Sequence, residues 1–405
     1  MRIAILTSGV LPVPAVQGGA VENLIDFCID YNNRHHLHDI TVYSIDHPRI
    51  KDLGVLNTDV THYHHIDTTS WIAKIRKRLY KIRYKENGYY HYTIEYYFKK
   101  ALQHIQKKDY DIIIVENRPG YALKLKERTT AKLVLHQEND FLNSQTLQGQ
   151  KIYEAFCRII NTSAYITNRV KSINPSDTKC KTVLNGIDTQ VFFQAEPSPR
   201  VRLGLTDKDF IIAYSGRLNE EKGIIQLIQS IKQLHRIPNL KLLIIGASSY
   251  GKDKRPTPFI EKLRKETEPI KNQVIFTGFI DYHQIPSYLK MADVAIVPSM
   301  WEEPFGLTVI EAMAAGLPLI TTRSGGIPEI CEGVAKIVDR DNIVDNLADA
   351  VLDLYEHPEK RKQMSLEGLE RAKLFDKDIY AQNYFKSLEE IYIKTYKNYE
   401  NQGTE

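Results

Sequence analysis

One pattern constrains this chain more than any other: short apolar runs alternate with helical periodicity, and the alternation happens twice. Residues 3–6, 39–44, 111–115 and 132–135 are apolar runs, with helical patterns over 21–31 and 94–105 between them. Short apolar runs bounded by turn residues read as buried strands, and strands alternating with helices read as parallel βαβ units. The pattern restarts near residue 209. Residues 210–214 form a strand, a glycine-containing loop follows, and the next helix carries Ile224, Leu227, Ile228, Ile231 and Leu234 on one stripe. Strands continue at 240–245, 274–276, 294–297 and 318–322. The expected fold is α/β, with two doubly wound, Rossmann-like domains at 1–193 and 194–375 and a cleft between them as the default ligand site. The linker is read at 194–200, around Pro197 and Pro199. Residues 376–405 are read as a C-terminal helix crossing back to the first domain, although packing on its own domain satisfies the periodicity equally. Its aromatics are Tyr380, Tyr384, Phe385, Tyr392 and Tyr396.

Composition narrows the function classes. With 42% hydrophobic and 26% charged residues, the chain has ordinary globular make-up. The start, Met1 to Leu6, reads as a first buried strand rather than a signal peptide, because Pro12 and Pro14 interrupt any apolar core. No stretch is long and apolar enough to read as a membrane-spanning helix. Cys28, Cys157, Cys180 and Cys331 are far apart and lack zinc-ligand spacing, which fits a reduced, cytoplasmic setting. No zinc, RNP or helix-turn-helix pattern supports nucleic-acid binding.

Three stretches carry candidate chemistry. In 298–312 a strand ends, a loop carries Glu303, and a helix opens near Leu307 with Glu311 about a turn inside it. Backbone N–H groups of Phe305, Gly306, Leu307 and Thr308 would gather at that helix N-terminus, which suits a phosphate. The two glutamates could meet separate hydroxyl-bearing groups of one ligand; a solvated helix with surface glutamates is the alternative. In 215–223, Arg217 and Lys222 bracket a loop at a strand's carboxyl end, where two cations can neutralise a departing diphosphate. A surface pair between Lys222 and Glu220 or Glu221 is the alternative. The third stretch is Gly18-Gly19, just before the first helix, where backbone can approach a ligand closely. Gly-Gly is also ordinary loop punctuation.

Taken together, Glu303-x7-Glu311, Ser215-Gly216-Arg217…Lys222-Gly223, Asn185-Gly186-Ile187-Asp188 and Ala312-Met313-Ala314-Ala315-Gly316-Leu317-Pro318 resemble the retaining, nucleotide-sugar-dependent glycosyltransferases of family 4. The resemblance covers roughly residues 1–395 and implies the GT-B fold, two Rossmann-like domains facing across a cleft. It implies that Arg217 and Lys222 hold the donor diphosphate, that Glu303 meets the hydroxyls of the transferred sugar, and that Phe305, Gly306 and Leu307 assist through their backbone. Glu311 would bond the ribose. Gly18 and Gly19 would lie against the diphosphate and acceptor side, and His136 would match the first-domain histidine near the reacting sugar. The implied reaction is a front-face displacement, with the nucleotide sugar as co-substrate and no cofactor. No metal is expected: Asp109-Tyr110-Asp111 and Asp339-Arg340-Asp341 are metal-signature strings of a different fold. Two other readings stand beside it, a nucleotide-sugar epimerase and a coat or scaffold protein that keeps the transferase fold.

Charge is uneven. Residues 1–190 have 26 Lys/Arg against 19 Asp/Glu, whereas 191–405 have 28 against 31. The first half therefore favours an anionic partner. Residues 71–85 hold seven basic side chains and no acid, with Ile72, Ile75, Leu79 and Ile82 on one helical face and a tyrosine-rich tract (Tyr89, Tyr90, Tyr92, Tyr96, Tyr97) after it. Such a helix suits anionic lipid, and so a lipid-linked or glycan acceptor on bacterial surfaces reached by peripheral docking. An amphipathic helix packed on its own sheet satisfies the same pattern.

Overall fold

The computed structural model describes residues 1–83, 91–247 and 257–402, with side chains in the last helix as far as Tyr392. Tyr84, Lys85, Tyr89, Tyr90 and the side chain of Tyr396 lie outside the described residues. The chain divides into two compact units: Met1–Asn185 with Lys377–Glu405, and Gly186–Asp376.

The first unit is a seven-stranded sheet of β1 (Arg2–Leu6), β2 (Asp39–Ile45), β3 (Thr61–Ile66), β4 (Ile112–Glu116), β5 (Lys132–Gln137), β6 (Arg158–Asn161) and β7 (Cys180–Thr182). Their order is β3-β2-β1-β4-β5-β6-β7, and every neighbouring pair is parallel. The strands at its centre are apolar on both faces because helices cover both, as a parallel sheet requires. Ile3, Ile5, Ile112 and Ile114 face one layer, and Ala4, Leu6, Ile113 and Val115 the other. The helix Lys377–Gln402 belongs to this unit. Its Tyr380, Tyr384, Phe385 and Leu388 are buried against Ile3, Ile5, Ile40, Ile112 and Ile160. Burying a large apolar side chain is worth roughly 1.5–3 kcal/mol, so this stripe alone holds the helix in place.

The second unit repeats the plan with six strands: β8 (Phe210–Ser215), β9 (Leu240–Ile245), β10 (Val274–Gly278), β11 (Val294–Val297), β12 (Leu319–Thr322) and β13 (Lys336–Val338). Their order is β10-β9-β8-β11-β12-β13, again parallel throughout. Both sheets therefore reverse strand order beside their first strand, between β1 and β4 and between β8 and β11. Ligands of such sheets bind beyond the carboxyl ends at that reversal.

The divisions fall at Asn185/Gly186 and Asp376/Lys377 rather than after residues 193 and 375. The reason is packing: Ile187 and Phe192 sit in the second unit's core. The Ile187 N–H donates to the Phe375 carbonyl at 2.9 Å, tying the two crossing segments together within that unit. The stretch expected as a linker is likewise pinned there, with the Arg200 guanidinium donating to the Met291 carbonyl at 2.8 Å.

Candidate functional site

In the second unit, the loops after β8 and β11 meet. Asn219 caps the short turn Glu220–Lys222, its Oδ1 accepting from the Lys222 N–H at 3.2 Å. Gly223 then adopts φ +70°, and a Cβ there would stand 1.8 Å from the Pro298 carbonyl oxygen. Only glycine lets the two loops approach this closely. The Met300 N–H donates to the Glu221 carbonyl at 2.8 Å and fastens the contact.

That approach joins the two charges singled out in the sequence. Lys222 Nζ lies 2.5 Å from Glu303 Oε1, and Ser299 Oγ donates to the same oxygen at 2.5 Å. Glu303 is 6% exposed, so its charge is held by these partners rather than by water. Lys222 also lies 5.4 Å from the centre of the Trp301 ring. The surrounding loop is braced from the far side. Glu302 accepts from the Gly325 N–H at 2.6 Å and pairs with Arg340, which also donates to the Met300 carbonyl at 3.1 Å. The Gly326 N–H donates to the Glu303 carbonyl at 2.8 Å.

Arg217 is exposed on the same loop as Lys222, and its carbonyl accepts from the Tyr214 hydroxyl at 2.7 Å. The helix Leu307–Ala314 opens at Gly306, φ +120°, with no side-chain cap on its first turn. Phe305 is buried; Leu307 and Thr308 are half-buried. Glu311 does not join Glu303. It is buried, and its bond is to the Tyr282 side chain. Desolvation by burial lifts its carboxyl to about 7, against the lowering effect of that bond. Within the strings Asp109-Tyr110-Asp111 and Asp339-Arg340-Asp341, Asp111 accepts from the Arg2 N–H at 2.7 Å, and Asp339 lies 3.7 Å from Arg323. Among the described residues no group of three or more His, Cys, Asp or Glu is arranged to hold a metal ion.

The first unit places His136 at the end of β5, 1% exposed, between two carboxylates. Nδ1 lies 2.7 Å from Glu116 Oε2 and Nε2 3.0 Å from Glu138 Oε1. Burial alone would drive the ring neutral, yet Glu116 and Glu138 together outweigh it and push the imidazole up to about 10. The Tyr384 hydroxyl, from the last helix, donates to Glu116 at 3.3 Å. Asn185 Nδ2 donates to Glu138. Gly18 and Gly19 lie before the helix Ala20–His35 with φ of +75° and +118°. A Cβ at Gly19 would meet the Glu22 carboxylate at 2.2 Å, so that helix terminus already faces an acidic side chain of its own.

Residues 197–371 match the family model described as glycosyl transferases group 1. The match falls within the second unit, Gly186–Asp376. The whole chain is 29% identical over 381 residues to spore coat protein SA of Bacillus subtilis, covering 90% of this chain and 92% of the relative. It is 26% identical over 264 residues to lipopolysaccharide 1,2-N-acetylglucosaminetransferase of Salmonella typhimurium, covering 63% and 67%. Among solved structures it resembles Anabaena Alr3699/HepE in complex with UDP-glucose, with a TM-score of 0.71 at 20% identity over 96% of this chain and 100% of the other. The fold is therefore GT-B, built of two Rossmann-like units. In the second unit, Ser299, Tyr282 and Arg340 contact the candidate residues or their neighbours and were missed by the sequence reading. In the first unit Glu116, Glu138, Tyr384 and Glu22 were missed. Glu116 left a signal: a carboxylate closing an all-apolar strand needs a buried partner.

Proposed function

We propose that this protein is a retaining glycosyltransferase that moves a sugar from a nucleotide-sugar donor to a glycan or lipid-linked acceptor, in the making of bacterial surface polysaccharide or glycolipid. The observation that carries it is the meeting of Lys222, Glu303 and Ser299 beyond the carboxyl ends of β8 and β11, at the sheet reversal of the unit that matches the group 1 family model. Lys222 and the exposed Arg217 supply positive charge where a diphosphate would sit. Glu303 offers acceptors to sugar hydroxyls, the uncapped turn at Phe305–Thr308 offers N–H donors, and the Glu311 carboxyl offers a ribose partner. The bond between the anomeric carbon and the diphosphate oxygen breaks, a bond to the acceptor oxygen forms on the same face, and the acceptor proton passes to the departing diphosphate. Arg217 and Lys222 provide the charge that a metal would otherwise supply, so activity should survive EDTA.

The helix Trp71–Arg83 supports an acceptor at a membrane surface. Only Ala73 of this helix is buried, while Trp71 and Ile82 are 71% and 79% exposed and Ile75 and Leu79 are also open among basic neighbours. Flotation with anionic vesicles at low salt should carry the protein upward, and a protein left at the bottom would remove the membrane from the reading. No described helix is long and apolar enough to span a membrane. A second reading, a coat component that keeps the fold, is favoured by the likeness to spore coat protein SA. Thermal shift against a panel of nucleotide sugars, followed by donor turnover with the stabilising one, decides between them. A raised midpoint with turnover supports the enzyme; a flat panel supports the coat component.

A further inference from the structure

We infer that the Lys222–Glu303 pair makes this site discriminate between an intact sugar nucleotide and the bare nucleoside diphosphate left after transfer. The inference rests on the donor-binding reading above and adds selectivity to the same site. Lys222 Nζ and Ser299 Oγ both fall on Glu303 Oε1, each at 2.5 Å. Among the described residues no donor falls on Oε2. The Glu303 side chain is 7% exposed and that of Lys222 23%, so the carboxylate depends on the ammonium far more than the ammonium depends on it. A diphosphate that approaches Lys222 either takes the ammonium from Glu303 or shares it. Both bring a second anion beside a buried carboxylate, and like charges at low dielectric repel strongly.

The carboxylate has nowhere to retreat. Its own carbonyl accepts from the Gly326 N–H, a Cβ on Gly325 would lie 2.1 Å from that same oxygen, and Glu302 and Arg340 anchor the preceding residue and Met300. On the other wall, Gly223 is pressed against Pro298. With the loop fixed, only a new donor can compensate Glu303. A sugar attached to the diphosphate brings hydroxyl donors, and Oε2 is the acceptor still open to them. The sugar thus offsets the repulsion that its own diphosphate creates. Once the sugar has left, the diphosphate faces Glu303 uncompensated, and Lys222 returns to its partner as the product departs.

Calorimetric titration of the full chain with UDP, GDP and ADP tests this, comparing wild type with Glu303→Gln, which keeps shape and removes charge. The variant should bind the preferred nucleoside diphosphate at least about tenfold more tightly than wild type does. A supporting scaffold role would weaken binding or leave it alone, so equal or weaker binding by a folded variant overturns the inference while leaving the donor site intact. Should Glu303→Gln lose its unfolding transition, Glu303→Met carries the same expectation and the same refutation. If none of the three nucleotides binds either protein, the donor-site reading itself falls.

Discussion

The two units share a strand plan and differ in how they use charge. Both place polar residues at or beyond the carboxyl ends of central strands, where topology opens a crevice. In the first unit those residues are turned inward. His136 lies between Glu116 and Glu138, and Tyr384 of the last helix donates to Glu116. In the second, Lys222 and Glu303 stand on loops held together by close glycine contacts, with Arg217 exposed beside them. The same architecture thus yields an internal charge network where a helix covers the crevice and an approachable ion pair where loops frame it.

The hardest test of that contrast is Glu116→Ala. Removing one member of a buried ion pair typically costs about 3–5 kcal/mol, because the remaining charge is left without compensation. Hydrogen exchange should report a loss of that size in the first unit, and near-native protection would mean that Glu138 alone sustains His136. Next comes Lys222→Ala. Its counterpart role in catalysis predicts turnover lowered by roughly 10²–10³-fold, with donor affinity falling much less. Steady-state kinetics with the stabilising nucleotide sugar would detect it, and near-normal turnover would remove Lys222 from the mechanism. Glycines sharpen the comparison further. Gly223→Ala would drive a Cβ into the Pro298 carbonyl at positive φ, whereas Gly18, at φ +75°, faces open space. The first should cost about 3 kcal/mol and the second about 1 kcal/mol, read from urea midpoints. Equal costs would mean that the loops after β8 and β11 part easily.

How much of this could be read from the sequence follows the same division. The central strands announce themselves because both faces are buried, as in Ile112-Ile113-Ile114-Val115. The outer strands did not: Thr61–Ile66 carries three histidines and a tyrosine, and Arg158–Asn161, Cys180–Thr182 and Lys336–Val338 are too short for a period to register. The second-unit candidates were legible because they sit in two compact loops, each at a strand–loop–helix junction. Which residue pairs with Lys222 was not, since Glu220 and Glu221 are nearer in sequence than Glu303. The first-unit network was opaque for the same reason. Tyr384 and Glu116 are brought together only by the helix that closes the chain, and no local pattern encodes a contact of that reach. The exposed apolar side of Trp71–Arg83 lies between the two cases: periodicity gave the face, and only the structure decides that the sheet does not cover it.

The smallest expected effect concerns Glu22, the acidic side chain at the Gly19 helix terminus. Desolvation by burial, with a smaller contribution from the Glu116 charge, raises its carboxyl from 4.5 to about 7. The folded chain therefore keeps a proton there that the unfolded chain has released. Between pH 4.5 and about 7 the native state binds more protons, so stability falls as pH rises through that window and for about a unit beyond it. Going from about pH 6 to pH 8, this group alone should cost on the order of 1 kcal/mol. Asp26 is raised to about 7 by burial and Glu311 likewise, so wild type alone cannot isolate Glu22. The difference between wild type and Glu22→Gln can. The variant should lose that share of the slope in urea unfolding across the interval and should gain relative to wild type at the alkaline end. A variant whose slope matches wild type would mean that Glu22 is ionised in the folded chain, its charge stabilised by the N-terminus of the helix it opens. The first unit would then hold a charge-stabilising helix terminus, as proposed for the Gly306 turn of the second.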